Sequence, residues 1–212
     1  MQLSSVVVSI ISNNALKTYG GDLAIGAMTI INAVMILFLM SAMGVTQGAA
    51  PIIGYNYGAK HFDRVKKILK LELETVFTIC AITFIHVQVF PAMLSNIFTN
   101  DSNLIAMASK GMRLFLLMIP FLSAQIVGAS YFQAIGKAKK AAFLGLSRQV
   151  LLLIPFLLIL PNLFGLNGVW GASAVADFIS SLIAIDSLKS AFNHLNKLEN
   201  ENHLEETTIT TI

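Results

Sequence analysis

Long apolar stretches separated by short polar turns occupy most of the chain. A helix that crosses a bilayer needs roughly 20 predominantly apolar residues, and every apolar segment except the first is long enough. The pattern predicts helices at about residues 2–14, 23–50, 66–94, 104–135, 141–160 and 169–190. We therefore expect an all-α membrane protein, a six-helix transmembrane bundle in which the first helix is truncated.

The two ends of the sequence differ from the helical centre. The first apolar segment ends at Ser12, Asn13 and Asn14, and it lacks the basic region that opens a secretory signal. We interpret it as the outer end of a helix whose beginning is absent. Residues 199–212 are polar, and we expect a cytoplasmic tail that is disordered beyond a short helical extension.

The composition also favours a membrane protein. Hydrophobic residues make up 56% of the 212 positions and charged residues 12%, too few polar side chains to cover a soluble domain of this size. The single cysteine, Cys80, excludes an internal disulfide and is interpreted as a small packing residue. The sequence contains no HExxH, CxxC, Walker or nucleophile-elbow motif. We therefore expect neither an enzyme nor a metal site.

The basic residues predict the orientation of the helices. Ten of them lie after the second and fourth segments or in the tail: Lys60, Arg64, Lys66, Lys67, Lys70, Lys137, Lys139, Lys140, Lys189 and Lys197. Only Lys17, Lys110 and Arg113 lie on the opposite side. Because cytoplasmic loops are enriched in lysine and arginine, the C-terminus is expected in the cytoplasm. No aromatic residues alternate with these cations, so no nucleic-acid partner is expected.

Residues 44–67 form the most distinctive sequence motif in the chain. Gly44 and Gly48 are four residues apart, as are Gly54 and Gly58, a spacing that lets another helix approach the backbone closely. Pro51 removes one amide donor between the two pairs. The basic residues that follow are typical of a helix that leaves the bilayer on its cytoplasmic side.

This stretch resembles a signature of the multidrug and toxic compound extrusion (MATE) family. The residues that carry the resemblance are Gly44, Gln47, Gly48, Pro51, Ile52, Ile53, Gly54, Tyr55, Asn56, Tyr57, Gly58 and Ala59, followed by Asp63, Arg64, Val65, Lys66 and Lys67. Two positions depart from the family pattern: Ala50, where glutamine is usual, and Ser41, where proline is common.

Arg148 and Asp177 are the charges inside predicted helices that most need a partner. They lie roughly 11 Å and 16 Å from the cytoplasmic ends of their helices at 1.5 Å per residue. An unpaired charge at such a depth costs at least about 2.5 kcal/mol. We therefore predict an ion pair between them. The pair has two alternative roles: a permanent structural contact between the fifth and sixth helices, or a contact that breaks and re-forms during a conformational cycle.

The surroundings of this pair also resemble the last two helices of MATE transporters. The matching residues are Ser147, Arg148, Gln149, Leu153, Ile154, Pro155, Gly165, Leu166, Gly168, Val169, Trp170, Ala176 and Asp177. Ala174 stands where the family often has proline, which favours a straighter sixth helix. Together with the glycine-rich stretch, the resemblance extends to about Leu198.

Two prolines fall inside predicted helices. Pro120 and Pro155 are expected to free the carbonyls of Leu116 and Leu151, one turn earlier. Each proline is therefore a candidate helix hinge, with a static kink as the alternative.

Uncharged amides are the candidates for contacts with a transported molecule. Asn32, Gln47 and Gln125 are the predicted cavity residues, with Gln47 and Gln125 the deepest. Hydrogen bonds that only join helices are the alternative role for each of them. Glu72 and Glu74 lie at the inner boundary beside Lys70, and we expect both to face solvent.

The resemblance implies the C-terminal half of a MATE-type exporter in a bacterial inner membrane. Such a transporter has twelve helices in two lobes and exports organic cations and other xenobiotics in exchange for Na⁺ or H⁺ by alternating access. Its partners would be its substrates, membrane lipid and the N-terminal lobe. No cofactor is implied, and the coupling ion would bind in the N-terminal lobe. The alternatives are a half-transporter that works as a dimer or with a separate first lobe, and a flippase-like or non-transporting membrane scaffold.

Overall fold

A computed structural model describes residues 2–210, and the side chains of residues 4–202 and 204. The described chain is helical with short breaks between its elements. In chain order these are α1 (Gln2–Gly58), α2 (Phe62–Val89), α3 (Pro91–Asn96), α4 (Ser102–Phe115), α5 (Ile119–Ala134), α6 (Ala138–Leu146), a π-helix (Ser147–Leu153), α7 (Ile154–Phe164) and α8 (Leu166–Thr210).

Helix α1 folds back on itself at a single glycine. Gly21 has φ 66° and ψ −164°, a conformation that essentially only glycine adopts. Ser5 and Asn32 line the same cavity, although a straight helix would separate them by about 40 Å. The arms 2–20 and 22–58 therefore lie side by side. Both arms are longer than the predicted helices at 2–14 and 23–50.

Helix α2 packs one regular face against α1 and α5. The buried positions recur every three or four residues, as expected for one face of an α-helix: Phe62, Val65, Leu69, Glu72, Val76, Cys80, Thr83 and Val87. The helix begins four residues before its predicted start at 66. It ends at Val89, where Phe90 leaves helical geometry and α3 follows.

The predicted fourth helix, 104–135, is two helices. Helices α4 and α5 are bent by 57° at the break between Phe115 and Ile119. Pro120 lies in the first turn of α5, where its missing N–H costs no helical hydrogen bond. The prediction that the Leu116 carbonyl lacks a hydrogen-bond partner is wrong, because the Ile119 N–H donates to it at 3.3 Å.

The predicted fifth helix, 141–160, contains a π-helix between α6 and α7. The polar connection expected at 161–168 is reduced to Gly165, whose φ is 57°. Gly168 allows the next helix to approach closely, because an added Cβ would lie 2.2 Å from the Leu160 carbonyl oxygen. Helices α7 and α8 therefore form a tight antiparallel hairpin.

Helix α8 continues to Thr210, well beyond its predicted end near residue 190. The expectation of a mostly disordered tail at 199–212 is wrong for the described part. Lys66 of α2 contacts Glu199 and also donates to Asn196 at 2.8 Å, and these contacts hold the turns around residues 196–199 against α2. Residues 211 and 212 lie outside the described residues.

The helices are joined by apolar clusters. One cluster combines the second arm of α1 with α2, α5 and α8, and another combines that arm with α2, α4 and α5. A third surrounds Trp170 at the start of α8. Among the described residues, three helical segments are long and apolar enough to cross a membrane, Ser4–Gly58, Ala138–Phe164 and Leu166–Asn202. The bent pair α4 and α5 makes a fourth if it is one span.

The glycines of the two pairs in α1 have different surroundings. Only Gly54 meets another helix, with an added Cβ 3.1 Å from the Ala134 carbonyl oxygen. Gly44, Gly48 and Gly58 have open space where a Cβ would stand. The expected close approach at these three positions does not occur among the described residues, because their side of α1 faces outward.

Candidate functional site

The structure brings Arg148 and Asp177 together. The Arg148 Nε donates to the Asp177 Oδ1, and the two side chains are 17% and 7% exposed. Arg148 belongs to the π-helix and Asp177 to α8, so the contact joins the two elements that were expected to carry it. Because the charges neutralise each other, the pair adds no net charge to its surroundings.

The π-helix determines where Arg148 and its neighbour Gln149 point. Pro155 follows this segment by two residues and cannot donate to the Leu151 carbonyl, against which its ring would also clash in a regular α-helix. A wider π-helical turn before the proline relieves that conflict, and such turns are frequent at functional sites. Arg148 and Gln149 consequently face two neighbouring cavities.

The first cavity, which we call the upper cavity, has a volume of about 380 Å³. Its wall comes from both arms of α1, from α4, from the π-helix and α7, and from the start of α8. The lining residues are Ser5, Val8, Ser9, Ser12, Asn13, Ile25, Met28, Thr29, Asn32, Met35, Phe115, Arg148, Gln149, Leu153, Leu157, Val169, Trp170 and Ser173. Arg148 is the one charged residue among these described side chains, so the cavity combines hydroxyls and amides with aromatic and methionine side chains.

Part of this wall was missed by the sequence reasoning. Ser5, Ser9 and Ser12 line the upper cavity from the first arm of α1. Their spacing of four and three residues puts them on one helical face, a signal that was available in the sequence. Gln149 and Ser5 lie within hydrogen-bond distance at 3.3 Å, which joins the first arm to the π-helix.

Asn32 and Gln47, both predicted cavity residues, have different positions. Asn32 lines the upper cavity. Gln47 is exposed on the second arm of α1 and lines neither this cavity nor its neighbour. Its predicted depth placed it inside the lobe, but depth along a helix does not fix the face. Gln47 shares the outward face with Gly44 and Gly48.

Gln125 lines the second cavity, which we call the lower cavity and which measures about 230 Å³. Its Nε2 donates to the Leu144 carbonyl at 2.9 Å, and its Oε1 accepts from the Ser180 hydroxyl at 3.3 Å. The amide therefore links α5 to α6 and α8. Both of its polar ends are occupied by the protein itself.

Glu72 contradicts the sequence-based interpretation. It was expected to face solvent beside Lys70, yet it is 3% exposed. Glu72 lies on the packed stripe of α2 between Leu69 and Val76, so its position along the chain did not determine its exposure. Glu74 lies on the exposed face of α2, where its Oε1 is 3.9 Å from the Lys70 Nζ.

The two candidate hinges adjoin the cavities. The break before Pro120 separates Phe115, in the upper cavity, from Leu122, in the lower one. Pro155 follows the π-helix that carries Arg148. Bending at either proline would change the relative position of the cavity walls, while a static kink would hold them fixed.

Similarity to known proteins extends along most of the chain. A family model described as MatE matches residues 1–159. The multidrug export protein MepA of Staphylococcus saprophyticus is 27% identical over 190 residues, which are 87% of this chain and 40% of that protein.

Solved structures also match most of this chain with less than half of their own length. A structure of the MATE multidrug transporter DinF-BH is 34% identical, with a TM-score of 0.78, and the match covers 89% of this chain and 42% of that one. A crystal structure of MATE in the bent conformation gives a TM-score of 0.86 at 17% identity, over 94% of this chain and 44% of that one. The chain thus spans less than half the length of each of these relatives.

Proposed function

The chain belongs to the MatE family, and from that premise we propose that it forms one lobe of a secondary active multidrug efflux transporter. The transporter exports organic cations and other xenobiotics in exchange for Na⁺ or H⁺ by alternating access. The chain is a multi-pass membrane protein, and the proposed location is a bacterial inner membrane. The relatives described above are named as export proteins or transporters, which fits a protein that is not an enzyme.

The upper cavity is the observation that carries this proposal. Its volume of about 380 Å³ falls in the range of sites for drug-sized ligands, about 300–1,000 Å³. Met28 and Met35 supply flexible apolar contacts. Phe115, which is only partly buried, offers an aromatic face that attracts cations. Because Asp177 neutralises Arg148, an organic cation meets no net repulsion from this wall.

The outward face of α1 supports a second lobe as the partner. Gln47, Pro51 and Tyr55 are exposed on this face with the open glycines at 44, 48 and 58. Small residues at such spacing let a neighbouring helix approach closely, and nothing within the described chain uses the opening. The proposed occupant is the first lobe of the same transporter, with the transport path between the lobes.

The basic residues support a cytoplasmic C-terminus. Lys60 follows α1, Lys137 precedes α6 and Lys189 lies in the second half of α8. These positions belong to one end of an antiparallel bundle, and clusters of lysine near helix ends mark the cytoplasmic side. The inward-facing end of the lobe would then carry the α8 extension.

Dye accumulation in living cells tests the proposed function. Cells without their own dye efflux pumps would express either the chain alone or the chain joined to a first lobe, and would be loaded with a fluorescent organic cation. The joined polypeptide should lower cell fluorescence severalfold, and collapsing the Na⁺ and H⁺ gradients should abolish the effect. The chain alone should leave fluorescence unchanged.

Each other outcome contradicts a stated part of the proposal. Efflux by the chain alone would show a self-pairing half-transporter. Efflux that survives collapse of both gradients would exclude secondary active transport. Unchanged fluorescence in both cases, with both polypeptides present in the membrane, would leave a scaffold or a transporter of a different substrate class.

A further inference from the structure

Two acidic side chains are buried among the described residues, Glu72 and Asp177. Asp177 has Arg148 as its partner. Neither carboxyl oxygen of Glu72 has a hydrogen-bond partner among the described residues. The Ser130 hydroxyl lies nearby, and it donates to the Thr46 carbonyl at 3.4 Å. The two carboxyls are therefore in opposite situations within one lobe.

The surroundings of Glu72 contain no compensating positive charge among the described side chains. On α2 itself, the exposed Lys70 lies beside Glu74 and the partly buried Lys66 contacts Glu199. The titratable groups on the packed faces of α1 and α5 are the phenols of Tyr57 and Tyr131. The described part of α8 adds Ala184, Leu188, Ala191 and Leu195 to the same cluster.

A charged carboxylate in this place would be costly. Burying an ion without a partner costs several kcal/mol even after the protein relaxes, and such a group takes up a proton instead. The neutral carboxyl needs far less compensation. The packed interface between α1, α2 and α5 therefore selects the protonated form.

We propose that Glu72 is a proton-binding site of this lobe, neutral while α2 is packed against α1 and α5 and ionised when that interface opens. Glu72 lies about 15 Å along α2 from Phe62, at 1.5 Å per residue. The basic end of α2 precedes it, and Lys70 is exposed only two residues earlier. A small opening at this end would connect the carboxyl with water.

The site gives the lobe its own means of sensing a proton gradient. Opening of the interface releases a proton from Glu72, and closing requires that one be taken up. The protonation of Glu72 rests on its burial without a hydrogen-bond partner or a positive charge beside it in the described part of the chain, whereas its use in driving export rests on the proposed function.

Chemical labelling tests the protonation directly. An apolar carbodiimide reacts with protonated carboxyls in apolar surroundings, and peptide mass spectrometry locates the adduct. In membranes that contain the intact protein, Glu72 should be labelled, and the labelled fraction should fall as the medium changes from mildly acidic to alkaline. Asp177, which is paired with Arg148, and the exposed Glu74 are internal controls and should remain unlabelled.

A neutral substitution separates this inference from a purely structural role. Glu72→Gln mimics the protonated carboxyl and should leave the thermal unfolding midpoint unchanged, while removing the label. If carbodiimide labels Glu72 no faster than Glu74, or if Glu72→Gln markedly lowers the thermal unfolding midpoint, the proposed proton-binding site is overturned.

Transport by the same variant tests the coupling role separately. Where the unmodified two-lobe protein exports a fluorescent cation, Glu72→Gln should still bind the cation but respond severalfold less to an imposed proton gradient. An equal response would overturn the coupling role. A lack of export by the unmodified protein would count against the proposed function, and the labelling result would still decide the protonation of Glu72.

Discussion

At the scale of single residues, the stability of the lobe depends on how its buried charges are compensated. Replacing Arg148 by Gln or Asp177 by Asn leaves the other side chain buried without its partner. Such a loss costs about 3–5 kcal/mol in fully buried pairs, and less here because Arg148 is 17% exposed. The double substitution should cost less than the sum of the single ones, measured from unfolding midpoints in detergent. Strictly additive losses would contradict a direct interaction.

Gly111 is expected to fix the position of Trp170. An added Cβ at Gly111 would lie 2.7 Å from the indole Cε2 and 2.8 Å from the Ile31 Cδ1. Gly111→Ala should therefore destabilise the lobe by about 1–3 kcal/mol and change the emission of Trp170, the only tryptophan of the chain.

Gly171→Ala is the matched control for this substitution. Gly171 has open space where a Cβ would stand, so alanine there should be neutral or stabilising by up to about 1 kcal/mol. Equal effects of the two substitutions on stability and emission would contradict the packing of Gly111 against the indole.

The sequence allowed a residue contact to be predicted where a buried charge had few possible partners. Arg148 and Asp177 were isolated charges at similar depth, so their pairing could be expected. Glu72 lay close to a predicted boundary, where hydropathy does not distinguish a solvated face from a packed one. The three- and four-residue spacing from Leu69 to Val76 carried that information. Gln47 lies outside both cavities for the same reason, since its helix face was not considered.

At the scale of elements, the π-helix is the feature that positions the site. Pro155→Ala restores an amide donor, and the segment before it should return towards a regular α-helix. Arg148 would then turn away from Asp177. In the Pro155→Ala background, Asp177→Asn should lose its coupling to Arg148→Gln, with an interaction energy below about 0.5 kcal/mol.

Pro161→Ala provides the comparison within α7. Pro161 is also buried inside this helix, but it lies beyond the π-helix. The coupling between Arg148 and Asp177 should survive its substitution. Equal coupling in the Pro155→Ala and Pro161→Ala backgrounds would contradict the role of Pro155 in holding the π-helix.

The sequence indicated where helices would be interrupted but not how. Pro120 marked the position of the break between α4 and α5, while the bend of 57° depends on packing with other helices. Gly21 and Gly165 each replaced a predicted loop with a single residue, because a positive φ can reverse the chain abruptly. The continuation of α8 past residue 190 could not be predicted from local polarity, since contacts from Lys66 on another helix hold the turns around residues 196–199.

At the scale of the whole molecule, the exposed face of α1 is expected to be covered in the complete transporter. Tyr55 is 77% exposed. A cysteine at this position should react rapidly with a water-soluble maleimide when the chain is expressed alone, and at least about tenfold more slowly when a first lobe is present. The native Cys80 is buried and should add little background.

Lys67→Cys is the control for this labelling. Lys67 is exposed on α2 at the basic end of the lobe and should react equally in both cases. Unchanged labelling of Tyr55→Cys in the presence of the first lobe would show that the lobes meet elsewhere.

The overall architecture could be predicted because apolar length and basic loops are strong local signals. The glycine-rich stretch predicted the family, and the match of the family model to residues 1–159 confirms it. The same glycines were expected to let another helix approach closely, and three of them face outward from the lobe. A sequence pattern identifies a packing surface, but not whether its partner lies in the same lobe.

Gradient-driven efflux from reconstituted vesicles tests the proposed transporter most directly. Vesicles would contain the two-lobe polypeptide and a fluorescent organic cation, and a Na⁺ or H⁺ gradient would be imposed across the membrane. The prediction is cation movement against its own concentration gradient, which stops when the ion gradient is removed. Movement at the same rate with and without the ion gradient, or equal to that of protein-free vesicles, would contradict it.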